Sequence, residues 1–109
     1  MKRILVCVCV SFALVVVCAG IAAAGDAAKG KPVYTAKCAT CHSADGTPKE
    51  MIAKAMKVEM KHLGSKEAQA KTDAELKKII SEGSGKMKAV KLTDDETANV
   101  IAFVRTLKK

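Results

Sequence analysis

The sequence predicts an all-α protein, and two observations support that prediction. Thr72-Asp73-Ala74-Glu75 and Thr93-Asp94-Asp95-Glu96 each place a glutamate three residues after a threonine, which is the capping box that starts a helix. Apolar residues follow each box at helical spacing, and no stretch of residues 25–109 can be assigned as a strand.

Residues 1–24 have the pattern of an export signal. A basic start at Lys2 and Arg3 precedes an apolar core, and the alanines at 22–24 provide the small residues of a cleavage site. We therefore predict a cleaved signal peptide at 1–24, one domain at 25–109, export to the periplasm, and no stable membrane insertion after cleavage. The alternative is an uncleaved membrane anchor, since the apolar stretch is just long enough to cross a bilayer.

The predicted cleavage site also separates the five cysteines into two groups. Cleavage would remove Cys7, Cys9 and Cys18, so that only Cys38 and Cys41 remain. In an oxidising compartment two such thiols are ordinarily expected to form a disulfide. The spacing of Cys38 and Cys41 must therefore indicate whether they form a disulfide or have a different role.

The chain is strongly basic, with 19 Lys and Arg against 11 Asp and Glu and a formal net charge of +8. The lysines are interspersed with acids and form no single stripe, and an exported protein does not meet nucleic acid, so we expect no nucleic-acid partner. Most of these charges are typical of a solvated helical surface. A subset of the lysines would suit an acidic protein partner.

The first helix of the domain is expected to begin after Asp26, which can cap it, and to run to about Cys38. Gly30 lies inside this helix, where a glycine costs roughly 1 kcal/mol relative to alanine. The close approach of a second helix is the leading explanation for that glycine.

The middle of the domain carries weaker signals. A loop is expected at residues 43–48, with a turn at Asp45-Gly46, and a short helix is expected from Lys49. Residues 57–65 fit a period of two as well as a helical period and stay unassigned. The polar run that ends at Lys71 predicts a connection over the surface.

The two capping boxes begin the last two helices. The first of these helices carries one apolar face and ends before Gly83. A flexible, glycine-rich loop is expected at residues 83–88. The terminal helix is expected to extend to about Leu107, with acids in its first turn and lysines at its end, as the helix dipole favours.

Cys38-Ala39-Thr40-Cys41-His42 is the most specific motif in the chain. Two cysteines three apart and a following histidine have the spacing of c-type haem attachment, in which each thiol forms a thioether and the imidazole binds iron. We predict one haem c on Cys38 and Cys41, with His42 as proximal ligand. Because the chain has one tyrosine, two phenylalanines and no tryptophan, so large a ligand would also complete a small core.

A structural disulfide, a zinc site and a thioredoxin-like dithiol are the alternatives for these cysteines. Zinc requires four ligands, yet the only other histidine is His62 and the other cysteines lie in the leader. A thioredoxin-like dithiol requires a βαβ context, and no strand is expected before Cys38. The spacing therefore favours haem attachment over all three.

The second axial position on the iron decides between electron transfer and ligand or peroxide chemistry. Met87 lies in a glycine-rich loop between two helices, where an apolar side chain has no periodic reason to be. We predict Met87 as the distal ligand, with Met60 and then His62 as fallbacks. Met51 and Met56, like Met60, fit the filling of a core.

Together these residues resemble the class I cytochromes c of the small bacterial, monohaem kind that includes cytochrome c6 and c555 types. The likeness covers residues 25–109. One difference is Lys88, where many members have proline directly after the ligand methionine, and it bears on how rigid the loop is. The matching residues are Gly30 and Tyr34 before the haem motif, Gly83-Ser84-Gly85-Lys86-Met87, Leu92-Thr93, and Ala102-Phe103-Val104-Arg105.

The resemblance implies the cytochrome c fold, with three to four helices around one covalently attached haem and with the N- and C-terminal helices crossing. The crossing would place Gly30 and Tyr34 against Val100 and Phe103. It also implies an exported, monomeric carrier of one electron between redox proteins, with no enzymatic activity. The rival hypothesis is a haem enzyme or gas sensor with an open sixth coordination site, for which the sequence offers no cluster of polar catalytic groups.

Overall fold

The computed structural model of the protein describes residues 25–109, so the predicted signal peptide at residues 1–24 lies outside the described residues. This part of the chain contains no strand, and the all-α class is confirmed. None of its helices is both long and apolar enough to cross a membrane. Its six helical segments, two of them only one turn long, are α1 (Ala27–Lys37), α2 (Ala39–His42), α3 (Glu50–Met56), α4 (Lys66–Gln69), α5 (Asp73–Glu82) and α6 (Asp94–Thr106).

Helices α1 and α6 approach each other most closely at the glycine of α1. The helix begins where the sequence predicts, because the Asp26 carboxylate accepts hydrogen bonds from the backbone N–H groups of Ala28 and Lys29 at 2.9 and 3.4 Å. A Cβ atom on Gly30 would overlap the backbone carbonyl of Asn99, so a side chain at this position would force the two helices apart. This close approach accounts for a residue that weakens an isolated helix.

Aromatic and branched side chains fill the same crossing. Tyr34 is fully buried and Val100 is 1% exposed. The rings of Tyr34 and Phe103 lie 4.9 Å apart between centroids, at an interplanar angle of 51°, which is a favourable arrangement for an aromatic pair. The expected packing of Gly30 and Tyr34 against α6 is confirmed.

Both predicted capping boxes are present. The Thr72 hydroxyl accepts a hydrogen bond from the N–H of Glu75 at 3.1 Å, and the Glu75 carboxylate accepts one from the N–H of Thr72 at 2.9 Å. Thr93 and Glu96 form the same two bonds at 3.1 and 3.0 Å. Helices α5 and α6 therefore begin at the residues that the sequence indicates.

A small apolar core joins α5 to α6. Its buried centre consists of Ile80, Val100 and Ile101. The side chains that pack around this centre are only partly buried, so the core continues into a rim of accessible apolar surface. That rim consists of Val33, Cys38, Leu76, Val90, Leu92 and Val104.

The connection before α5 contains a helical turn that the sequence does not predict. Within the polar run at residues 66–71, α4 forms because the Ser65 hydroxyl caps it by accepting a hydrogen bond from the N–H of Ala68 at 3.2 Å. Residues 57–65, which the sequence leaves unassigned, form neither a helix nor a strand.

Arg105 of α6 holds the end of this connection. Its guanidinium donates to the backbone carbonyls of Gln69 and Lys71 at 2.9 and 2.6 Å. It also donates to the Asp73 carboxylate through Nε and Nη2 at 3.2 and 2.7 Å. One side chain therefore fixes the position of α4 and the start of α5 on α6.

Candidate functional site

The cysteine motif forms one helical turn at the end of α1. The Cys38 N–H donates to the carbonyl of Tyr34 at 2.8 Å, and the Cys38 carbonyl accepts from the N–H groups of Cys41 and His42 at 3.2 and 3.0 Å. Both cysteines are free thiols and are half-buried. The fold thus brings the two thiols and the imidazole together on a single turn.

Burial favours the neutral forms of the groups in this turn. It raises the pKa of the Cys38 thiol, and the neighbouring Cys41 raises it further. It also lowers the pKa of the His42 imidazole. Because a metal binds the neutral imidazole, the environment of His42 keeps the ring in the form that a metal requires.

One ring nitrogen of His42 has an unusual environment. Nδ1 is buried and makes no hydrogen bond with any residue in the described part of the chain. Buried polar atoms are nearly always paired, and each exception requires an explanation. A histidine that ligates a metal usually bonds through its second ring nitrogen to a carboxylate, a carbonyl or water, and Nδ1 has no such partner among the described residues.

The backbone that follows His42 is held from α1. The Tyr34 hydroxyl donates to the Ser43 carbonyl at 2.6 Å and lies 3.2 Å from the His42 carbonyl. Ser43 has a φ of 55° and a ψ of 170°, which is uncommon for a residue other than glycine. Burial, followed by the nearby Cys38 and Asp45 side chains, raises the pKa of Tyr34 to about 12, so the hydroxyl keeps its proton and can donate it.

The loop after the motif folds back onto it. The Lys49 N–H donates to the Cys41 carbonyl at 3.1 Å, and the Leu63 N–H donates to the Gly46 carbonyl at 3.0 Å. Gly46 has a φ of 85°, which suits the turn that the sequence predicts at this position. Helix α3 therefore begins beside the motif.

Met87 lies in a hydrogen-bonded turn. Ser84 and Met87 exchange two backbone hydrogen bonds, at 3.0 and 2.9 Å. Gly85 occupies the first central position of this two-residue turn with a φ of 55°, where glycine is strongly favoured. The flexible loop expected at residues 83–88 is instead closed by this pairing, and the closure does not need a proline in place of Lys88.

The turn that contains Met87 is attached to the core that Cys38 contacts. The Val90 N–H donates to the carbonyl of Ile80 at 2.7 Å, and Ile80 belongs to the buried centre against which Cys38 packs. The Met87 side chain is itself half-buried. The cysteine motif and the methionine turn are therefore built on one core.

The fallback ligands have different environments. The Nδ1 atom of His62 accepts a hydrogen bond from the N–H of Gly64 at 2.8 Å, so the neutral ring carries its proton on Nε2. A protonated nitrogen has no lone pair for iron, and this arrangement disfavours His62 as a ligand. Met60 is half-buried, whereas Met51 is 85% exposed and does not fill the core as the sequence suggests.

The alternatives for the cysteines find little support in the structure. Among residues 25–109, no group of three or more histidine, cysteine, aspartate or glutamate side chains could hold a metal ion. Within the same residues no strand precedes Cys38, as a thioredoxin-like dithiol would require.

These features define a small all-α protein with a c-type haem attachment motif. The cytochrome c family matches the chain over residues 27–108. A solved structure of the KustC0563 c-type cytochrome is 30% identical to the chain, with a TM-score of 0.63, and the match covers 73% of this chain and 98% of that one. No curated protein matches the chain. The chain belongs to the cytochrome c family, and the predicted class I type is confirmed.

Membership of this family also confirms the predicted cofactor. The family binds haem c, which is covalently attached and contains iron, and Cys38 and Cys41 fit its attachment motif. The structure suits such a group, because it combines two free thiols, a buried imidazole and a rim of half-buried apolar side chains around one core.

Sequence reasoning missed two residues of this site. It assigned Tyr34 to helix packing without considering its hydroxyl, and it gave no role to Ser43. The available signal was the presence of tyrosine at a buried helix position, because a buried hydroxyl requires a hydrogen-bond partner. No pattern in the sequence predicts the backbone conformation of Ser43.

Proposed function

We propose that the protein is an exported one-electron carrier that uses a single haem c with histidine and methionine ligation. Cys38 and Cys41 would form the two thioethers, and His42 and Met87 would be the proximal and distal iron ligands. The observation that supports this proposal most directly is that the motif turn and the paired Met87 turn share one core. When bound, the haem supplies an iron that alternates between the ferrous and ferric states.

The residues of the chain would hold and tune this group. Two thiols on one turn attach it to the end of α1, and the neutral His42 imidazole provides the first axial nitrogen. The soft thioether of Met87 favours ferrous iron and raises the reduction potential relative to a second imidazole. The half-buried apolar rim would keep water away from the centre, which limits solvent rearrangement when the charge changes.

The distal ligand is tested by the ferric absorption spectrum of the haem-loaded protein. The wild type should show the methionine-to-iron charge-transfer band, Met87→Ala should lose it, and Met60→Ala should keep it. Met60 is the matched control because it is also a half-buried methionine. A band that survives in Met87→Ala, or that disappears in Met60→Ala, would show that the ligand assignment is wrong.

Covalent attachment is tested by haem staining of the denatured protein from cells that can attach haem c. The wild type should stain, and the double variant Cys38→Ala/Cys41→Ala should not. A colourless wild-type band would contradict the assignment of the thioethers to these cysteines.

Ligand binding separates a carrier from a haem enzyme or gas sensor. A carrier keeps both axial positions filled in both oxidation states, so carbon monoxide and cyanide should bind poorly to the wild type and readily to Met87→Ala. Ready binding to the wild type would support the rival hypothesis of an open sixth site.

Lysines without acidic neighbours flank the proposed site. Residues 27–44 and 83–93 contain lysines but no aspartate or glutamate. Lys37 lies in the first of these ranges and directly precedes the motif. Lys49 lies outside both ranges and precedes Glu50, but its N–H donates to the Cys41 carbonyl, so it also lies beside the motif turn. We infer that the electron leaves there, across a small and transient interface with an acidic redox protein, roughly below 1,200 Å².

The partner is tested by reversing these charges. Lys37→Glu/Lys49→Glu should slow electron exchange with an acidic redox protein and flatten its dependence on salt. Lys66→Glu/Lys78→Glu is the control, because it changes the net charge equally at two other exposed positions. An equal effect of the two variants would show that only the net charge matters.

Export is tested by sequencing the N-terminus of the protein purified from cell fractions. Cleavage at the predicted site would release a monomer into the periplasm that begins at Gly25. A full-length chain in the membrane fraction would instead favour the uncleaved anchor.

A further inference from the structure

We propose that the Tyr34 hydroxyl is a positioning group that sets the orientation of the His42 imidazole. The inference rests on the proposed role of His42 as an iron ligand, and it does not depend on which residue fills the opposite axial position. Tyr34 would act through the peptide that follows His42, without touching the haem itself.

The first observation is the rigidity of Tyr34. The residue is fully buried, and its ring packs on Phe103 of α6 with the centroids 4.9 Å apart. The N–H of Cys38 also donates to the Tyr34 carbonyl at 2.8 Å. Both the backbone and the ring of Tyr34 are therefore held in place, and so is the hydroxyl that the ring carries.

The second observation is the pair of carbonyls that the hydroxyl meets. Its oxygen lies 2.6 Å from the Ser43 carbonyl and 3.2 Å from the His42 carbonyl. A hydroxyl has one proton to donate, and the shorter distance assigns the main bond to Ser43. The hydroxyl therefore holds the peptide between Ser43 and Ala44 and also lies beside the peptide between His42 and Ser43.

The third observation is that Ser43, which lies between these two peptides, has an unusual backbone conformation. Ser43 has a φ of 55° and a ψ of 170°, and such a backbone costs a residue other than glycine about 1–3 kcal/mol. The other bond to the Ser43 carbonyl, from the N–H of Gly46, is long at 3.4 Å. Without the hydroxyl of Tyr34, Ser43 would relax and carry the backbone of His42 with it.

One nitrogen of the imidazole lacks a hydrogen-bond partner within the described residues. Its Nδ1 atom is buried and makes no hydrogen bond there, whereas ligating histidines are usually oriented by a bond from the second ring nitrogen. The position of the His42 backbone then contributes more to the orientation of the ring, and that backbone directly precedes Ser43, which Tyr34 holds.

The test compares Tyr34→Phe with Phe103→Leu in the haem-loaded protein. Tyr34→Phe keeps the ring and removes only the hydroxyl, whereas Phe103→Leu weakens the crossing and keeps the hydroxyl. Paramagnetic NMR of the ferric protein reports the imidazole orientation through the pattern of haem methyl shifts and the His42 ring resonances. We expect Tyr34→Phe to change this pattern and the reduction potential, and Phe103→Leu to lower the melting temperature while it keeps the wild-type pattern.

One further measurement and one further variant test the inference more closely. The Ser43 amide donates to the Ala39 carbonyl at 2.9 Å, and its hydrogen exchange should accelerate about three- to tenfold in Tyr34→Phe, as expected for one lost hydrogen bond. In a Ser43→Gly background, where the backbone is unstrained, removal of the hydroxyl should change the methyl pattern less than in the wild type.

A wild-type methyl pattern in Tyr34→Phe would overturn the inference, and so would an equal change in Phe103→Leu. A failure of the proposed function would give different experimental results from a failure of this inference. If His42→Ala retains the wild-type ring resonances, or if the wild type lacks the methionine band, the ligand assignments are at fault rather than the role of the Tyr34 hydroxyl.

Discussion

The two sides of the proposed haem site are built differently. The crossing region, which consists of α1, α2 and α6, contains the fully buried Tyr34 and Val100 and the close approach at Gly30. The methionine region, defined as residues 47–63 and 83–93, contains no buried side chain. Its shape depends on backbone hydrogen bonds and turns, such as the pair between Ser84 and Met87.

This difference indicates how the site is assembled. Packing between helices sets the proximal side, because large side chains and a backbone contact leave one arrangement for α1 and α6. The methionine side has few apolar contacts of its own, so we expect it to depend on contacts with the haem. Substitutions in the crossing region should therefore affect the whole domain, and substitutions in the methionine region should have smaller and more local effects.

The largest expected effect comes from the glycine of the crossing. Gly30→Ala should lower the free energy of unfolding by more than about 3 kcal/mol, because the added Cβ would overlap the Asn99 carbonyl. Gly85→Ala is the matched variant in the methionine turn. Its Cβ would meet nothing, so only the left-handed backbone opposes it, at about 1–2 kcal/mol. Urea unfolding of the haem-loaded proteins checks both values, and equal losses would contradict the comparison.

The next effect is a dependence of stability on alkaline pH that comes from Tyr34. Its pKa of about 12 in the folded protein exceeds the value near 10 of an unfolded tyrosine. Between these pH values the folded state retains a proton that the unfolded state has released, so stability falls as the pH rises. The wild type should lose on the order of 2 kcal/mol more than Tyr34→Phe over this range.

Unfolding measured from about pH 9 to about pH 12 checks this prediction. The many lysines titrate in both proteins, so only the difference between them reports Tyr34. Parallel pH profiles would show that Tyr34 is not protected from ionisation by burial.

Loss of either capping box should lower the stability of the protein by a smaller amount. The two losses should be similar in size, but they should affect different parts of the molecule. Thr72→Ala and Thr93→Ala should each cost about 1 kcal/mol, since each removes the acceptor for a backbone N–H. Because α6 packs on α1, Thr93→Ala should also speed hydrogen exchange in α1, whereas Thr72→Ala should act mainly on α5. Exchange measured by NMR distinguishes these patterns, and the reverse distribution would contradict the proposed division of the molecule.

The smallest expected effect is an increase in stability. Lys57 ends α3 with a φ of 53° and a ψ of 47°, so Lys57→Gly should stabilise the protein by about 0.5–1 kcal/mol. Lys54→Gly is the control within α3, and it should destabilise by about 1 kcal/mol. Thermal unfolding checks both, and a loss of stability in Lys57→Gly would show that this backbone conformation is not strained.

Much of the fold could be predicted because its signals are local. A capping box spans four residues, and the haem motif specifies its chemistry through a spacing of three. Gly30 could also be recognised from the sequence, because a glycine inside a helix is unfavourable, although the contact that explains it is tertiary. The sequence also predicts the position of the methionine loop between α5 and α6. It does not predict that Ser84 and Met87 close this loop, because a flexible loop and a turn that contains glycine have the same composition.

The sequence alone determined the all-α class, the starts of α1, α5 and α6, and the family's attachment motif, since each depends on residues within a few positions of one another. Only the tertiary structure decided the acceptors of the Tyr34 hydroxyl and the strained backbone of Ser43. It also decided how Arg105 holds α4 and the start of α5, through partners 32 to 36 residues away. The physical reason is that a hydrogen-bond donor does not specify its acceptor until packing has brought distant backbone within about 3 Å of it.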